Sequence, residues 1–377
     1  MNQSRGNTIL HLIDTTGPGG AETVFISLLS ELQNTSFRNV VVLRGEGWVA
    51  EQVRSLGIAP YIIDSKGSFN LGYISALWRL VSTQGVDLIH AHLLGSNVYG
   101  AMVSVLSRTP MIATFHGAVD VASGERFLKA KFALIGWGAS AIVSVSRRLQ
   151  QELGARAALP AHKLQLVYNG VDPDRFTGDH GAGLRSELGL PPNGILVVSI
   201  GNIRPAKGYE YLVDAAITLS AQHPDIHFVV VGHQKEPLFS ALKAQVSESP
   251  RAPNIHWLGF RQDVSDVLRQ GDIFLLPSVS EGFSIATVEA MMAGIPVIAT
   301  RSGGPEEIIE DGETGYLIPV RDSEAIVSAI LELRQPARAE PVVGRARNRA
   351  VEQFSLAAML NQYMAVYKRL IRPKGSA

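Results

Sequence analysis

The feature that most narrows the fold is an internal echo, in which the second half of the chain repeats the plan of the first. Ile9-Leu-His-Leu-Ile13 leads into Gly17-Pro-Gly-Gly20 and a helical pattern from about Glu22. Ile195-Leu-Val-Val-Ser-Ile200 leads into Gly201-Asn-Ile-Arg204-Pro-Ala-Lys207-Gly208 and another helical pattern. Val40-Val-Val-Leu43 before Gly45 is matched by Phe228-Val-Val-Val231 before Gly232. Asp87-Leu-Ile-His-Ala-His92 is matched by Asp272-Ile-Phe-Leu-Leu-Pro277, and Pro110-Met-Ile-Ala-Thr114 by Pro296-Val-Ile-Ala-Thr300. Short apolar runs alternating with helical patterns predict an α/β protein with parallel sheets. The repeat is far too long for a solenoid unit. It reads as two Rossmann-like domains whose Gly-rich loops lie at the carboxyl ends of the strands, where open α/β sheets bind ligands. Two such domains facing each other would hold a ligand in the cleft between them.

The length of 377 residues suits two or three domains. The first domain is expected over residues 1–175 and the second over 190–355. Between them Pro173 to Asn193 is rich in Gly and Pro and includes a short helical stretch, Leu184 to Leu188. An amphipathic helix from Ser355 to Leu370, in a terminal segment of about 356–377, is expected to pack back on the first domain. The tail Arg372 to Ala377 is expected to fray.

Lys+Arg 34 balances Asp+Glu 34, so no long-range field favours nucleic acid. A hydrophobic fraction of 46% and a charged fraction of 18% fit a soluble globular protein. With no Cys, disulfides, thiolate metal sites and a Cys nucleophile are excluded. Ile9 to Ile13 is too short for a signal peptide, and Phe132 to Val145 contains Gly and Ser and is too short to span a bilayer. The expectation is a cytoplasmic protein whose membrane contact, if any, is peripheral at the inner face. Arg126, Lys129 and Lys131 alternate with Phe127, Phe132 and Trp137. That pattern reads either as a basic, aromatic membrane-surface helix or as an ordinary half-buried one.

The chemistry concentrates around Glu281-Gly-Phe-Ser-Ile-Ala-Thr-Val-Glu289. The preceding run Ile273 to Pro277 reads as a buried strand, and Ser278 to Gly282 as a loop. Ser284 suits the N-cap of a helix, which Gly294 would end and Pro296 would not continue. Glu281 is then on the loop and Glu289 in the helix, with helix-terminal amides between them that favour an anion. This arrangement suits a phosphorylated, hydroxyl-rich ligand. Arg204 and Lys207, on the Gly201 to Gly208 loop, could neutralise a diphosphate without a metal.

Other polar groups admit blander readings. His90 and His92 share one face of a strand and read as structural, whereas His116 ends a strand beside Gly117. A zinc site from these three histidines is not expected, because nothing supplies a second-shell signature. Gly17-Pro-Gly-Gly-Ala-Glu22 has Glu where a dinucleotide fingerprint needs its third Gly, so it reads as a loop touching phosphate or acceptor. Asp172-Pro-Asp174 has the form of a metal-binding D-x-D, but turn and cap chemistry is expected.

Together these residues resemble the GT-B glycosyltransferases of family 4, across nearly the whole chain. The resemblance is carried by Gly19-Gly-Ala-Glu22, Ile89-His-Ala-His92, Thr114-Phe-His116-Gly, Val143-Ser-Val-Ser146 and Asn169-Gly-Val-Asp172 with Phe176. It continues in Gly201-Asn-Ile-Arg204-Pro-Ala-Lys207-Gly, Pro277-Ser-Val-Ser-Glu281-Gly-Phe and Glu289-Ala-Met-Met-Ala-Gly-Ile-Pro-Val. It implies a retaining, metal-independent hexosyltransferase without a cofactor. A nucleotide-sugar donor, expected to be a UDP-sugar, would pass its sugar to a glycan or lipid-linked acceptor in cell-surface polysaccharide synthesis.

Carried over, Glu281 contacts donor-sugar hydroxyls, Glu289 holds the ribose, Arg204 and Lys207 bind the diphosphate, and His116 lies near the anomeric centre. Phe260 falls where the base packs, and Gly282, Phe283, Ser284, Ile285 and Ala286 where amides meet sugar and phosphate. Gly19 and Gly20 complete the expected donor contacts. Two departures stand out. Ser284 replaces a common Gly, which bears on sugar choice, and Asn202 occupies a place where Arg is frequent, leaving the cation at Arg204. A UDP-sugar 2-epimerase or a non-catalytic nucleotide-sugar sensor would share the same plan.

Overall fold

A computed structural model describes residues 6–65, 70–117, 126–156, 158–177, 183–191, 193–250 and 253–371. The chain divides into two compact units. One comprises the residues up to Gly170 together with the segment from Leu356, and the other comprises Val171–Ser355.

The first unit is built on β1 (Thr8–Ile13), β2 (Arg38–Leu43), β3 (Tyr61–Ile62), β4 (Leu88–His92), β5 (Met111–Phe115), β6 (Ala141–Ser144) and β7 (Leu164–Leu166). They form one sheet in the order β3-β2-β1-β4-β5-β6-β7, with parallel pairing throughout. The inner strands are apolar along their length because helices cover both faces of a parallel sheet. Accordingly, every residue of β1, β4 and β5 is buried. The helix Leu356–Leu370 packs on the helix Gly20–Gln33 and buries Tyr363 and Tyr367 completely. The tail from Arg372 lies outside the described residues.

The second unit contains β8 (Ile195–Ile200), β9 (Ile226–Val231), β10 (Ile255–Gly259), β11 (Ile273–Leu276), β12 (Val297–Thr300) and β13 (Tyr316–Ile318). Their order is β10-β9-β8-β11-β12-β13, again all parallel. Its core joins Val197, Phe228, Leu275 and Ile298 of the sheet to Tyr209, Leu212 and Ile330 of the covering helices. Both units are therefore Rossmann-like, and both reverse strand order beside their first strand. The reversal lies between β1 and β4 in one and between β8 and β11 in the other. Loops leaving those carboxyl ends diverge and open a crevice.

The division falls at Gly170, ahead of the 1–175 limit expected from composition. Val171 N–H donates to Phe354 O, and the 3-10 turn Pro173–Phe176 pairs its Arg175 with Glu289. These bonds assign the turn to the second unit. The short helix is Gly183–Glu187, held there by Leu184 N–H on Gln270 and by Arg185 on Asp272.

Candidate functional site

In the second unit the loop after β8 lies directly against the loop after β11. Val279 and Ser280 both donate their N–H to Ala206 O. Gly208, with φ of +62°, approaches so closely that a Cβ would lie 2.2 Å from Pro277 O. Only glycine fits a left-handed residue in that contact. The result is that Lys207 Nζ reaches Glu281 Oε1 at 2.5 Å, and Ser278 Oγ donates to the same oxygen at 2.6 Å. Among the described residues Glu281 Oε2 accepts no hydrogen bond. Glu281 is further seated by its N–H on Ser302 O, while its own C=O accepts from Gly304 N–H. Arg204, which opens the short 3-10 turn Pro205–Lys207, is exposed and makes no ion pair among the described residues.

The helix Ile285–Ala293 begins at the expected cap. Ser284 Oγ accepts from Thr287 N–H at 3.3 Å and from Thr287 Oγ1 at 2.9 Å, and Gly294 closes the helix at φ of +76°. The first turn of a helix leaves its leading amides without intrahelical acceptors. Here those are the amides of Ile285 and Ala286, which are partly exposed, following Gly282. Phe283 packs its ring on Phe354, so it offers backbone rather than side chain to a ligand. Ser284 is only 3% exposed and its oxygen is engaged by Thr287. Any influence on sugar choice therefore acts through its Cβ and the cap.

Glu289 lies one turn further along and is buried. Arg175 Nη1 contacts its Oε1 at 3.3 Å. Burial raises the Glu289 carboxyl above its ordinary range, and the Arg175 charge opposes that rise. Phe260, just past β10, stacks on His233 with ring centroids 4.8 Å apart and planes 7° apart, and stays 41% exposed. Asp172 Oδ1 accepts from Asp174 N–H, which is cap chemistry.

The first unit carries His116 and the Gly19-Gly20 turn. Gly19 is the N-cap of the helix Gly20–Gln33, and a Cβ on it would lie 2.4 Å from Glu22 Oε2. His92 Nδ1 and His116 Nε2 share a hydrogen bond of 3.0 Å. Desolvation lowers His116 to about 4, so it is neutral near pH 7. His90 bonds Tyr367 and Thr114 through its two ring nitrogens, which makes it a core residue. His11, His90 and His92 bring ring nitrogens within 4.8 Å of one another. Both nitrogens of His90 already have partners, whereas His11 Nδ1 and His92 Nε2 are buried without a hydrogen-bond partner among the described residues.

A cavity of about 670 Å³ opens in the first unit at the ends of β1, β2 and β3. Asp14, Glu22 and Asp64 line it with Arg44. Thr15 Oγ1, also at its wall, is buried without a partner among the described residues. Burial raises the Asp14 carboxyl, with Arg44 and the Ser96 amide opposing.

Three features escaped the sequence reading: Arg175 beside Glu289, Ser278 beside Glu281, and the Arg301-Ser-Gly-Gly-Pro305 turn that seats Glu281. That turn had a legible signal, a Gly-Gly-Pro at the end of an apolar run. The two pairings depend on distant segments. On the basic, aromatic stretch, Phe132 and Ile135 of the helix Leu128–Gly138 are core. Phe127 and Trp137 are 63% and 69% exposed, with Lys129 and Arg126 exposed beside them. Among the described residues no helix is long and apolar enough to cross a membrane.

The family profile for glycosyl transferases group 1 matches residues 183–341, and that for glycosyltransferase family 4 matches residues 18–175. The N-acetyl-alpha-D-glucosaminyl L-malate synthase of Bacillus anthracis is 26% identical over 323 residues, covering 84% of this chain and 83% of its own. The UDP-Gal:alpha-D-GlcNAc-diphosphoundecaprenol alpha-1,3-galactosyltransferase of Escherichia coli is 23% identical over 372 residues, covering 92% and 96%. Among solved structures, Anabaena HepE in complex with UDP-glucose superposes with a TM-score of 0.85 at 24% identity, over 96% of this chain and 99% of its own. At that identity the likeness is one of fold.

Proposed function

The chain belongs to the family 4 glycosyltransferases of GT-B fold, and from that premise we propose a retaining transfer from a UDP-sugar to a hydroxyl of a glycan or lipid-linked acceptor. The observation that carries this reading is the Lys207–Glu281–Ser278 cluster at the reversal point of the second sheet, with Arg204 exposed beside it. It sets a tethered carboxylate with one open oxygen next to two cations and a helix N-terminus. A sugar hydroxyl and a diphosphate need those groups side by side.

In this reading Glu281 Oε2 takes hydroxyls of the donor sugar. Arg204, Lys207 and the amides from Gly282 to Ala286 take the diphosphate. Glu289 takes the ribose, and the exposed face of Phe260 takes the base. As the bond from C1 to the phosphate oxygen breaks, charge grows on the diphosphate, where preorganised cations and amides stabilise it best. No metal is required for that neutralisation. The acceptor oxygen bonds to C1 on the face the phosphate leaves, its proton passes to a phosphate oxygen, and UDP departs. Neutral His116 serves as a hydrogen-bonding group that orients the sugar.

The acceptor is assigned to the first unit. The cavity at the ends of β1 to β3 offers three carboxylates as acceptors for sugar hydroxyls. The E. coli relative is named for an acceptor linked to undecaprenol through a diphosphate. A lipid-linked acceptor agrees with an exposed Phe127 and Trp137 flanked by Arg126 and Lys129, which suit peripheral contact with the inner membrane face. Cell-surface polysaccharide synthesis follows as the setting.

The test is turnover of a panel of nucleotide sugars with extracted lipid-linked and soluble glycans, reading UDP release and the anomeric configuration of the product by NMR. Retention is expected. An inverted product overturns the retaining mechanism, and near-normal rates in Glu281→Ala and Lys207→Ala overturn the site.

A further inference from the structure

Glu289 is the more buried of the two site carboxylates, and a carboxylate held away from water needs a partner. Its partner comes from outside the helix and loops that form the rest of the site. Arg175 lies on the 3-10 turn Pro173–Phe176, which is fixed at both ends. Asp172 Oδ1 caps it through Asp174 N–H at 3.0 Å, Phe176 is buried, and Thr177 Oγ1 donates to Asp174 O while Thr177 O accepts from Arg269. The guanidinium is thus delivered from a rigid turn, and it contacts Oε1 alone. Among the described residues Oε2 of Glu289 accepts no hydrogen bond.

Three charged groups on the elements packed around this helix are engaged elsewhere. Arg349 bonds Ile308 O and Glu310, Glu306 accepts from Gly303 N–H, and Arg269 bonds Thr177 O. Of the described residues, Arg175 is the charge that acts on Glu289.

We propose that Arg175 is a positioning residue for the donor: it ties Oε1 of Glu289 and leaves Oε2 to take a ribose hydroxyl. The inference rests on the donor reading given above. Arg175 touches neither the sugar nor the reacting bond; it acts through the Glu289 carboxylate. Without it that carboxylate loses its orientation, and its burial favours the neutral acid, a weaker acceptor for a ribose hydroxyl.

The test is calorimetric binding of UDP and 2′,3′-dideoxy-UDP to the full chain. Wild type is expected to prefer UDP, and Arg175→Met to lose about tenfold to a hundredfold in UDP affinity, the range for a hydrogen bond to a charged group. Dideoxy-UDP should bind both proteins alike. Arg175→Lys should recover part of the loss. As pH is lowered, UDP affinity of Arg175→Met should also begin to fall at a higher pH than that of wild type, because burial without the Arg175 charge favours the protonated Glu289. UDP binding as tight in Arg175→Met as in wild type, or an equal loss for both ligands, overturns the proposal. If Arg175→Met does not fold, Arg175→Gln takes its place under the same criteria. Wild type that binds UDP no better than the dideoxy compound, or not at all, overturns the donor reading itself and the proposal with it.

Discussion

Lys207 and Glu281, 74 residues apart in the chain, meet at 2.5 Å where the loops after β8 and β11 pack together. Both are largely buried, with side chains 18% and 10% exposed, so removing either partner strands a charge in a partly desolvated place. Lys207→Ala and Glu281→Ala are each expected to lower kcat/KM by about 100-fold to 1000-fold, the scale seen when one preorganised transition-state contact is lost. The double variant should cost much less than the product of the singles, because the two groups act as a unit. Multiplicative losses in steady-state kinetics would count against the pairing.

Buried histidines make the first unit acid-sensitive. Desolvation lowers His11 and His116 to about 4, and lowers His90 and His92 well below the usual imidazole range. A base depressed in the folded state binds its proton more readily when unfolded. Stability from these groups is therefore complete above pH 6.5 and drains away as pH falls towards 4. His11 alone accounts for about 3 kcal/mol across that window. Urea midpoints should hold from pH 7.5 to about pH 6.5 and then fall steadily to pH 5. A flat profile between pH 6.5 and pH 5, above the carboxylate range, would refute the assignment.

The Ser284 cap can be tested apart from the chemistry. Ser284→Ala leaves Thr287 N–H and Oγ1 without their acceptor in a buried place, and should destabilise the protein by about 1 kcal/mol. Ser284→Gly should cost only a few tenths of that scale and broaden the range of donor sugars turned over, since a Cβ is removed beside the sugar site. Denaturant titration and a donor panel read the two effects separately.

Membrane contact should depend on the exposed aromatic and basic groups around the helix Leu128–Gly138. Trp137→Ser and Lys129→Glu are expected to reduce co-sedimentation with vesicles containing anionic lipid by several-fold, while donor binding is unchanged. Vesicle binding that is absent in wild type, or insensitive to both substitutions, would remove the contact.

Much of the fold was legible because parallel strands buried on both faces are written as unbroken apolar runs. Ile195–Ile200 coincides with β8, and Ile9–Ile13 falls one residue short of β1 at its start. β3 has two residues and β13 three, too few for any periodicity to register. The Glu281 and Glu289 pair, the Arg204 and Lys207 loop and the Ser284 cap were legible because each is set by neighbours within a few residues. Capping, positive φ and loop chemistry are local.

By itself the sequence determined two Rossmann-like units, the loops that carry their polar groups, and the residue types available for a diphosphate and a hydroxyl-rich sugar. Tertiary structure alone decided which charges meet. Arg175 and Glu289 are 114 residues apart, and nothing in either segment announces the other. Strand order places the Lys207 loop beside the Glu281 loop, and a hydrogen-bonded turn carries Arg175 to Glu289. Pairing between distant groups follows from how layers pack, a long-range result that no window of sequence encodes.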